Sequence, residues 1–149
     1  MEILPHFWVG YYKENLLNII KKKKIKNIIH LSKNESFIKK IDLEEIRIPI
    51  DYNESQQLEE QNNIVYQYLF DITDYIHDKI INNGNILLIG YLHKQDIDTI
   101  IISYFIRFGK LNLHESISFL KSKKKYVFVP KCLFFHALSK FYNRVREIE

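Results

Sequence analysis

The sequence predicts an α/β fold. Short apolar segments of strand length alternate along the chain with longer amphipathic segments, which is the order of elements in that class. One segment, Ile86–Ile89, is apolar on both faces, as is typical of a central strand covered by helices. The 149 residues, 46% of them hydrophobic, suffice for one core but not for two comfortable domains. We therefore expect a single domain over residues 1–149 without a linker.

Composition narrows the class of protein further. A single cysteine excludes a disulfide framework and a cysteine-based zinc site, and the six histidines lack metal-ligand spacing, so we expect neither metal nor cofactor. The chain contains no uncharged apolar run of about 18 residues, and its start lacks signal-peptide features. We expect an intracellular, soluble protein, cytoplasmic or nuclear. The Ile-, Lys- and Asn-rich composition, with one alanine, suits an AT-rich genome such as that of a parasite or of a large DNA virus, and a viral origin would allow the protein to be virion-associated.

The charge pattern argues against nucleic-acid binding. The net charge is only +4, and the lysines fall in short runs near predicted helix ends, where positive charge is favoured. A nucleic-acid binder usually shows a basic face or a recognised module instead.

Four short apolar segments predict strands. They are His6–Gly10, Asn27–Ser32, Ile46–Ile50 and Ile86–Ile89. Five segments predict helices: Glu14–Lys22, about Ser55–Ile81, Thr99–Ile106, Leu113–Lys124 and about Lys131–Arg146. The segment Thr99–Ile106 is apolar all round, which leaves helix and strand open, and its place after a central strand and a polar loop favours a buried helix.

Several motifs, in order along the chain, resemble those of the dual-specificity protein phosphatases. The matching segments are Ile3–Gly10, Ile25–Ser32, Ile48–Ile50, Gly84–Gly90, Ile97–Ile106, Leu113–Lys124 and Pro130–Phe141. This resemblance covers nearly the whole chain. It implies the dual-specificity-phosphatase-like (cysteine phosphatase) α/β/α fold, with a central, mostly parallel sheet flanked by helices. Ile86–Ile89 should then be the central parallel strand between the strands at Asn27–Ser32 and Phe7–Val9.

The catalytic loop of the family is degenerate in this sequence. The family signature H-C-x-x-G-x-x-R supplies a thiolate nucleophile, backbone N–H groups around the phosphate and an arginine that grips its oxygens. The family's histidine and cysteine are replaced here by Ile89 and Gly90. Its glycine, its arginine and the hydroxyl residue that follows the arginine are replaced by His93, Asp96 and Ile97. The resemblance therefore predicts an inactive phosphatase fold, because glycine has no nucleophile and an aspartate replaces the arginine.

The general-acid region also departs from the family. The family places an aspartate shortly after its I-P-V strand, and here the strict position holds Tyr52, with Asp51 one residue earlier. An ordinary polar turn is the simpler interpretation.

The two aspartates after the loop suggest a structural role. Asp96 and Asp98 put negative charge where a phosphate would sit, so we expect no phosphate binding. Carboxylates are favoured at a helix N-terminus. We therefore expect one of the two to accept hydrogen bonds from backbone N–H groups of residues 98–101.

Two alternatives to an inactive, protein-binding module remain open at this stage. One is an enzyme with a relocated acid–base or metal site, built from His93, Asp96, Asp98 and Asp51 in the old cleft. The other is a basic nucleic-acid or phosphoprotein binder. Cys132 and His136, four residues apart on a predicted helix, form a further candidate pair, although core packing explains both. The expected partner is a protein, including a second copy of this chain in a homodimer.

Overall fold

The computed structural model describes residues 1–12, 14–31, 43–48, 57–82, 84–91 and 94–148. Within these residues lie five strands, β1 (Glu2–Leu4), β2 (Phe7–Tyr11), β3 (Ile25–His30), β4 (Glu44–Arg47) and β5 (Asn85–Gly90). Five helices accompany them: α1 (Leu16–Lys22), α2 (Leu58–Ile81), α3 (Asp96–Phe108), α4 (Leu113–Lys121) and α5 (Phe135–Ile148).

Two compact units make up the chain. The first contains residues 1–51 and 76–97, and the second contains residues 52–75 and 98–149. The expectation of one domain over the whole chain stays a prediction.

The first unit contains a mixed sheet with the strand order β1-β2-β5-β3-β4. The strand β5 lies in the centre and pairs in parallel with both β2 and β3, so that Val9 and Ile29 both align with Leu88. The predicted central strand and its two neighbours are therefore confirmed. All six residues of β5 except Asn85 are buried, which agrees with a strand covered on both faces.

The two edges of the sheet differ from the prediction. The strand β1 pairs antiparallel with β2 and was not predicted, because three residues give no detectable period. At the other edge, β4 ends at Arg47, before Pro49 and Ile50, which lie outside the described residues. Ser32 and Ser55, predicted as element ends, also lie outside them.

The core of the first unit joins α1 to the sheet. Leu16 and Ile20 of α1 are buried against apolar side chains of β3 and β5, among them Ile28 and Leu87. Each buried aliphatic side chain contributes about 1.5–3 kcal/mol of transfer free energy, so this cluster holds the short helix in place.

The second unit is helical in its described part. Ile100, Ile101 and Ile102 of α3 are completely buried, which confirms the predicted buried helix. The helix α4 begins with a capping box between Asn112 and Glu115. The start of α5 is fixed by Asn62, whose side chain accepts a hydrogen bond from the Ala137 N–H at 2.9 Å.

Candidate functional site

The carboxyl ends of β2, β5 and β3 meet at one edge of the sheet in the first unit, which is where open α/β sheets place their sites. Gly90 is the last residue of β5 and pairs with Tyr11. Its carbonyl accepts a hydrogen bond from the Tyr12 N–H at 3.2 Å. The residue that replaces the family's cysteine therefore stands at the end of the central strand.

The space beside Gly90 is occupied by an isoleucine. A Cβ atom built on Gly90 would lie 3.0 Å from both Cγ1 and Cδ1 of Ile97 and 3.7 Å from Cβ of Leu31. Ile97 is 1% exposed, so its side chain has little room to move away. The φ angle of Gly90 is not in the left-handed region, so the backbone alone does not require glycine there. A larger residue at position 90 would require Ile97 to shift by a few tenths of an ångström.

Asp96 is the first residue of α3 and is only 3% exposed. A carboxylate in the first turn of a helix is stabilised by the helix dipole, by about 0.3–1 kcal/mol. The predicted bond from Asp96 to the N–H groups of residues 98–101 stays a prediction. His93, Asp51 and Tyr52, the other predicted positions of the loop and acid region, lie outside the described residues.

Asp98, in the second unit, has a different partner from the one predicted. Its carboxylate accepts a hydrogen bond from Nζ of Lys124 at 2.5 Å and another from the backbone N–H of Phe128. The Asp98 side chain is buried, with 7% exposure, and that of Lys124 is largely covered, with 10% exposure. Burial raises the pKa of Asp98, while the Lys124 ammonium and the Phe128 N–H lower it. Asp98 thus binds the segment after α4 and does not cap α3.

An aromatic group that the sequence analysis missed lies at the same sheet edge as Gly90. The Tyr12 hydroxyl is 3.2 Å from Nδ1 of His30, and the ring centroids of Tyr12 and Tyr91 are 4.9 Å apart. These residues lie at or directly after the ends of β2, β3 and β5. The sequence could have indicated this group, because its three residues lie at or directly after the ends of three parallel strands.

His30 is the member of this aromatic group whose ordinary pKa lies nearest to neutral pH. It is 2% exposed, and burial lowers its pKa, while Glu45 at 3.7 Å raises it. The imidazole is therefore less easily protonated than a histidine in water. A neutral imidazole stacked on Tyr12 is a poor acid catalyst for phosphate chemistry at neutral pH.

Comparisons with known proteins agree with the fold. No protein-family model matches the chain. The tyrosine-phosphatase-like protein 123R of Invertebrate iridescent virus 6 is 30% identical over 94 residues, which cover 63% of this chain and 61% of that protein. The match thus spans less than two thirds of that relative's length.

Solved structures resemble the whole chain. The crystal structure of human DUSP28 superposes with a TM-score of 0.82, at 13% identity, and the match covers 99% of both chains. The human tyrosine phosphatase-like serine/threonine/tyrosine-interacting protein has a TM-score of 0.76 at 16% identity, with 98% of this chain and 96% of that chain covered. The chain has the dual-specificity phosphatase fold. The predicted resemblance and fold class are confirmed.

Within this dual-specificity phosphatase fold, the predicted Cys132–His136 pair does not share a helix. The helix α5 begins at Phe135, so Cys132 precedes it, and the prediction was wrong on this point. Burial raises the pKa of the Cys132 thiol to about 11. The thiol is therefore protonated at neutral pH and is not an activated nucleophile.

The described residues offer neither a metal site nor a helix that could span a membrane. They contain no group of three or more His, Cys, Asp or Glu residues arranged to hold a metal ion. No helix in this described part combines the length and apolar character that crossing a bilayer requires.

Proposed function

We propose that this protein is a catalytically inactive phosphatase-fold module that acts by binding another protein. The packing of Ile97 beside Gly90 carries this proposal. Cysteine-dependent phosphatases need a thiolate at the end of the central strand. Here that position has no side chain, and Ile97 packs so closely that a Cβ alone would lie 3.0 Å from two of its atoms.

The charge at the loop supports the same conclusion. The family's arginine grips phosphate oxygens through two parallel hydrogen bonds. In this chain the position holds Asp96, whose carboxylate repels each unit of negative charge on a phosphate by about 1 kcal/mol at 4 Å in water and about 4 kcal/mol in a surface-like medium. A nucleophile and an anion-binding group are both missing, so no single reversion rebuilds the site.

A protein of similar fold has a name that fits a recognition role. The human protein described above is named as phosphatase-like and as interacting with serine, threonine and tyrosine. We propose that the present chain likewise uses its surface for recognition, and that its phosphatase fold serves as a scaffold.

A hydrolysis assay tests the inactivity. Purified protein, Gly90→Ala and Gly90→Cys should all fail to hydrolyse p-nitrophenyl phosphate and phosphotyrosine peptides, because Gly90→Cys still lacks the arginine. An active dual-specificity phosphatase, assayed in parallel, is the positive control. Turnover by the wild type that disappears in Gly90→Ala would contradict the proposal, since contaminating activity would not follow the substitution.

A capture experiment tests the binding role. Tagged wild-type protein should retain a specific protein from extracts of its natural source, and Lys94→Glu should weaken that retention if the surface beside Tyr91 contributes. Lys21→Glu, an exposed lysine on α1, is the matched control because it makes the same charge change elsewhere in the first unit. Failure to retain any protein at physiological salt would argue against a recognition role.

A further inference from the structure

The positive charge of the protein is concentrated in one stretch of the chain. Residues 116–146 contain eight of the 22 lysines and arginines and no aspartate or glutamate. The other 14 basic residues are outnumbered by the 18 acidic residues, all of which lie outside this stretch. Such an asymmetry of charge within one chain indicates a negatively charged partner.

Apolar side chains are exposed within this basic stretch. Tyr126 is 64% exposed, Val129 is 62% exposed and Phe135 is 57% exposed. Single exposed apolar residues are normal, whereas several of them close together in the chain indicate an interaction site. Exposed lysines accompany them, namely Lys121, Lys123, Lys125 and Lys131. We call these seven residues, which all belong to the second unit, the basic apolar surface.

The segment that carries Tyr126 and Val129 is anchored within the second unit. The Asp98 carboxylate accepts hydrogen bonds from Nζ of Lys124 and from the backbone N–H of Phe128, and the Phe128 side chain is buried. The two exposed apolar side chains therefore stand on either side of an anchored stretch of backbone. Holding them at the surface in advance lowers the entropy cost of binding.

Two lysines of this region lie over exposed aromatic rings. Nζ of Lys125 is 5.3 Å from the centroid of the Tyr126 ring, and Nζ of Lys123 is 5.2 Å from that of Phe119. Among the described residues, no carboxylate forms an ion pair with Lys121, Lys123 or Lys125. Their charge is therefore not neutralised by the described part of the protein.

This combination of lysines and exposed apolar side chains favours a membrane over other anionic partners. Protein–protein interfaces are depleted of lysine, and single-stranded nucleic acids stack on aromatic rings but gain nothing from an aliphatic side chain such as Val129. Surfaces that bind membranes peripherally combine lysines, which attract anionic headgroups, with apolar side chains that enter the boundary between headgroups and acyl chains. Tyrosine is enriched at that depth, because its ring is apolar and its hydroxyl is polar.

We propose that the basic apolar surface binds the protein peripherally to membranes that contain anionic lipids. Tyr126 and Val129 enter the headgroup region, and the lysines around them lie against the negatively charged lipid headgroups. This inference goes beyond the proposed function, because it concerns a different surface and does not depend on whether the protein hydrolyses phosphate esters.

Sedimentation with sucrose-loaded vesicles tests the binding. The probes are large unilamellar vesicles of phosphatidylcholine with about 30% phosphatidylserine, and vesicles of phosphatidylcholine alone, which lack the negative surface potential. The protein should sediment with the anionic vesicles and stay in solution with the neutral ones. Raising the concentration of NaCl should weaken the binding, because salt screens the attraction between lysines and headgroups. Equal sedimentation with both kinds of vesicle, or with neither, would overturn the proposal.

A charge variant tests the lysines. Lys123→Ser combined with Lys125→Ser should weaken partitioning into anionic vesicles about 30-fold at low salt, as expected for the loss of two lysines near an anionic surface. Lys21→Ser combined with Lys22→Ser is the matched control, since it removes the same charge from exposed positions of α1. An equal loss in the control would assign the binding to the net charge of the protein and contradict the proposal.

An apolar variant tests insertion into the membrane. Tyr126→Ser combined with Val129→Ser should weaken partitioning about tenfold without any change in charge, because less apolar area is removed from water. Leu17→Ser combined with Ile81→Ser, which alters exposed apolar residues elsewhere, is the matched control and should bind like the wild type. All four positions are exposed, so circular dichroism should show unchanged folding of both variants. Unchanged partitioning of the Tyr126 and Val129 variant would overturn the proposal.

Fluorescence reports whether the surface reaches the lipid. The emission of Tyr126→Trp should shift to shorter wavelength on binding and be quenched by brominated phosphatidylcholine. The wild type is the control, since its single tryptophan, Trp8, lies in the first unit and its emission should not change. The absence of both changes in Tyr126→Trp would contradict insertion.

Competing polyanions decide the nature of the partner. Neither polyglutamate nor an oligothymidylate should displace the protein from anionic vesicles when added at the same concentration of negative charge as the exposed lipid. Full displacement by either would overturn the proposal, because the surface would then recognise negative charge or stacked bases without a bilayer. None of these results affects the hydrolysis assay, so failure of membrane binding and failure of the inactive-module proposal are distinguishable.

Discussion

The tight approach of Ile97 to Gly90 predicts a specific coupling between the two positions. Gly90→Ala places a methyl group 3.0 Å from two atoms of a buried side chain. Overpacking of this kind costs about 1–3 kcal/mol, and the lower entropy of the unfolded chain returns about 0.4–1 kcal/mol. We expect a net loss of about 1 kcal/mol in the free energy of unfolding.

A double-mutant cycle isolates the contact. Ile97→Val removes Cδ1 and alone costs about 0.5–1.5 kcal/mol. In the Ile97→Val background, the methyl group of Gly90→Ala has one close contact instead of two, so this substitution should hardly change the free energy of unfolding. The expected coupling energy between the two substitutions is therefore about 1 kcal/mol. Urea unfolding followed by circular dichroism measures all four proteins. Additive effects, within about 0.3–0.5 kcal/mol, would refute the claim that Ile97 fills this space.

Gly84 provides the control for the cycle. A Cβ at Gly84 would also be crowded, at 3.0 Å from Asn27 Nδ2 and 3.1 Å from the Lys79 carbonyl, but Ile97 is not among its close neighbours. Gly84→Ala combined with Ile97→Val should therefore be additive. A coupling there as large as at Gly90 would indicate a general loosening of the sheet by Ile97→Val.

Three further predictions concern buried polar groups and use urea unfolding. Lys124→Met should cost about 3–5 kcal/mol, because it leaves the buried Asp98 carboxylate without its ammonium, and the additional change Asp98→Asn should recover part of that loss. Asn62→Ala should cost about 1–3 kcal/mol, because the Ala137 N–H loses its acceptor, whereas a neutral result would mean that water replaces the amide. Wild-type stability should fall as the pH drops through 6.5, the ordinary pKa of histidine, because burial lowers the pKa of His30 in the folded state. The His30→Phe variant should show a weaker fall. Identical pH profiles of the two proteins would contradict the claim that His30 causes the pH dependence.

Much of the fold could be predicted from the sequence, because buried strands and helices have characteristic patterns of apolar residues. The apolar character of Ile86–Ile89 on both faces predicted a central strand, and the wholly apolar Thr99–Ile106 predicted a buried helix. The helix α3 begins at Asp96, three residues before the predicted Thr99, because the acidic residues of its first turn interrupt the apolar run that marked the helix. The helix α4 ends at Lys121, three residues earlier than predicted.

The site was predictable only where a position could be matched by motif. The resemblance located Gly90 and Asp96, because their neighbours along the chain follow the family pattern. The contact of Ile97 with Gly90 depends on side-chain packing that no local period records. The ion pair of Asp98 joins it to Lys124, 26 residues later, and such a distant partner leaves no signal in one sequence.

The strand order of the sheet also sets when the chain can fold. The central strand β5 is made after both of its neighbours, and Phe7 finds its partner only when Ile86 has been synthesised. Contacts between such distant segments give the fold a high contact order. Closing the long intervening loops costs entropy before sheet contacts can offset it, so the fold should form slowly. A chain still emerging from the ribosome therefore holds β2 and β3 apart, with the apolar faces of both strands open to chaperones until β5 inserts between them.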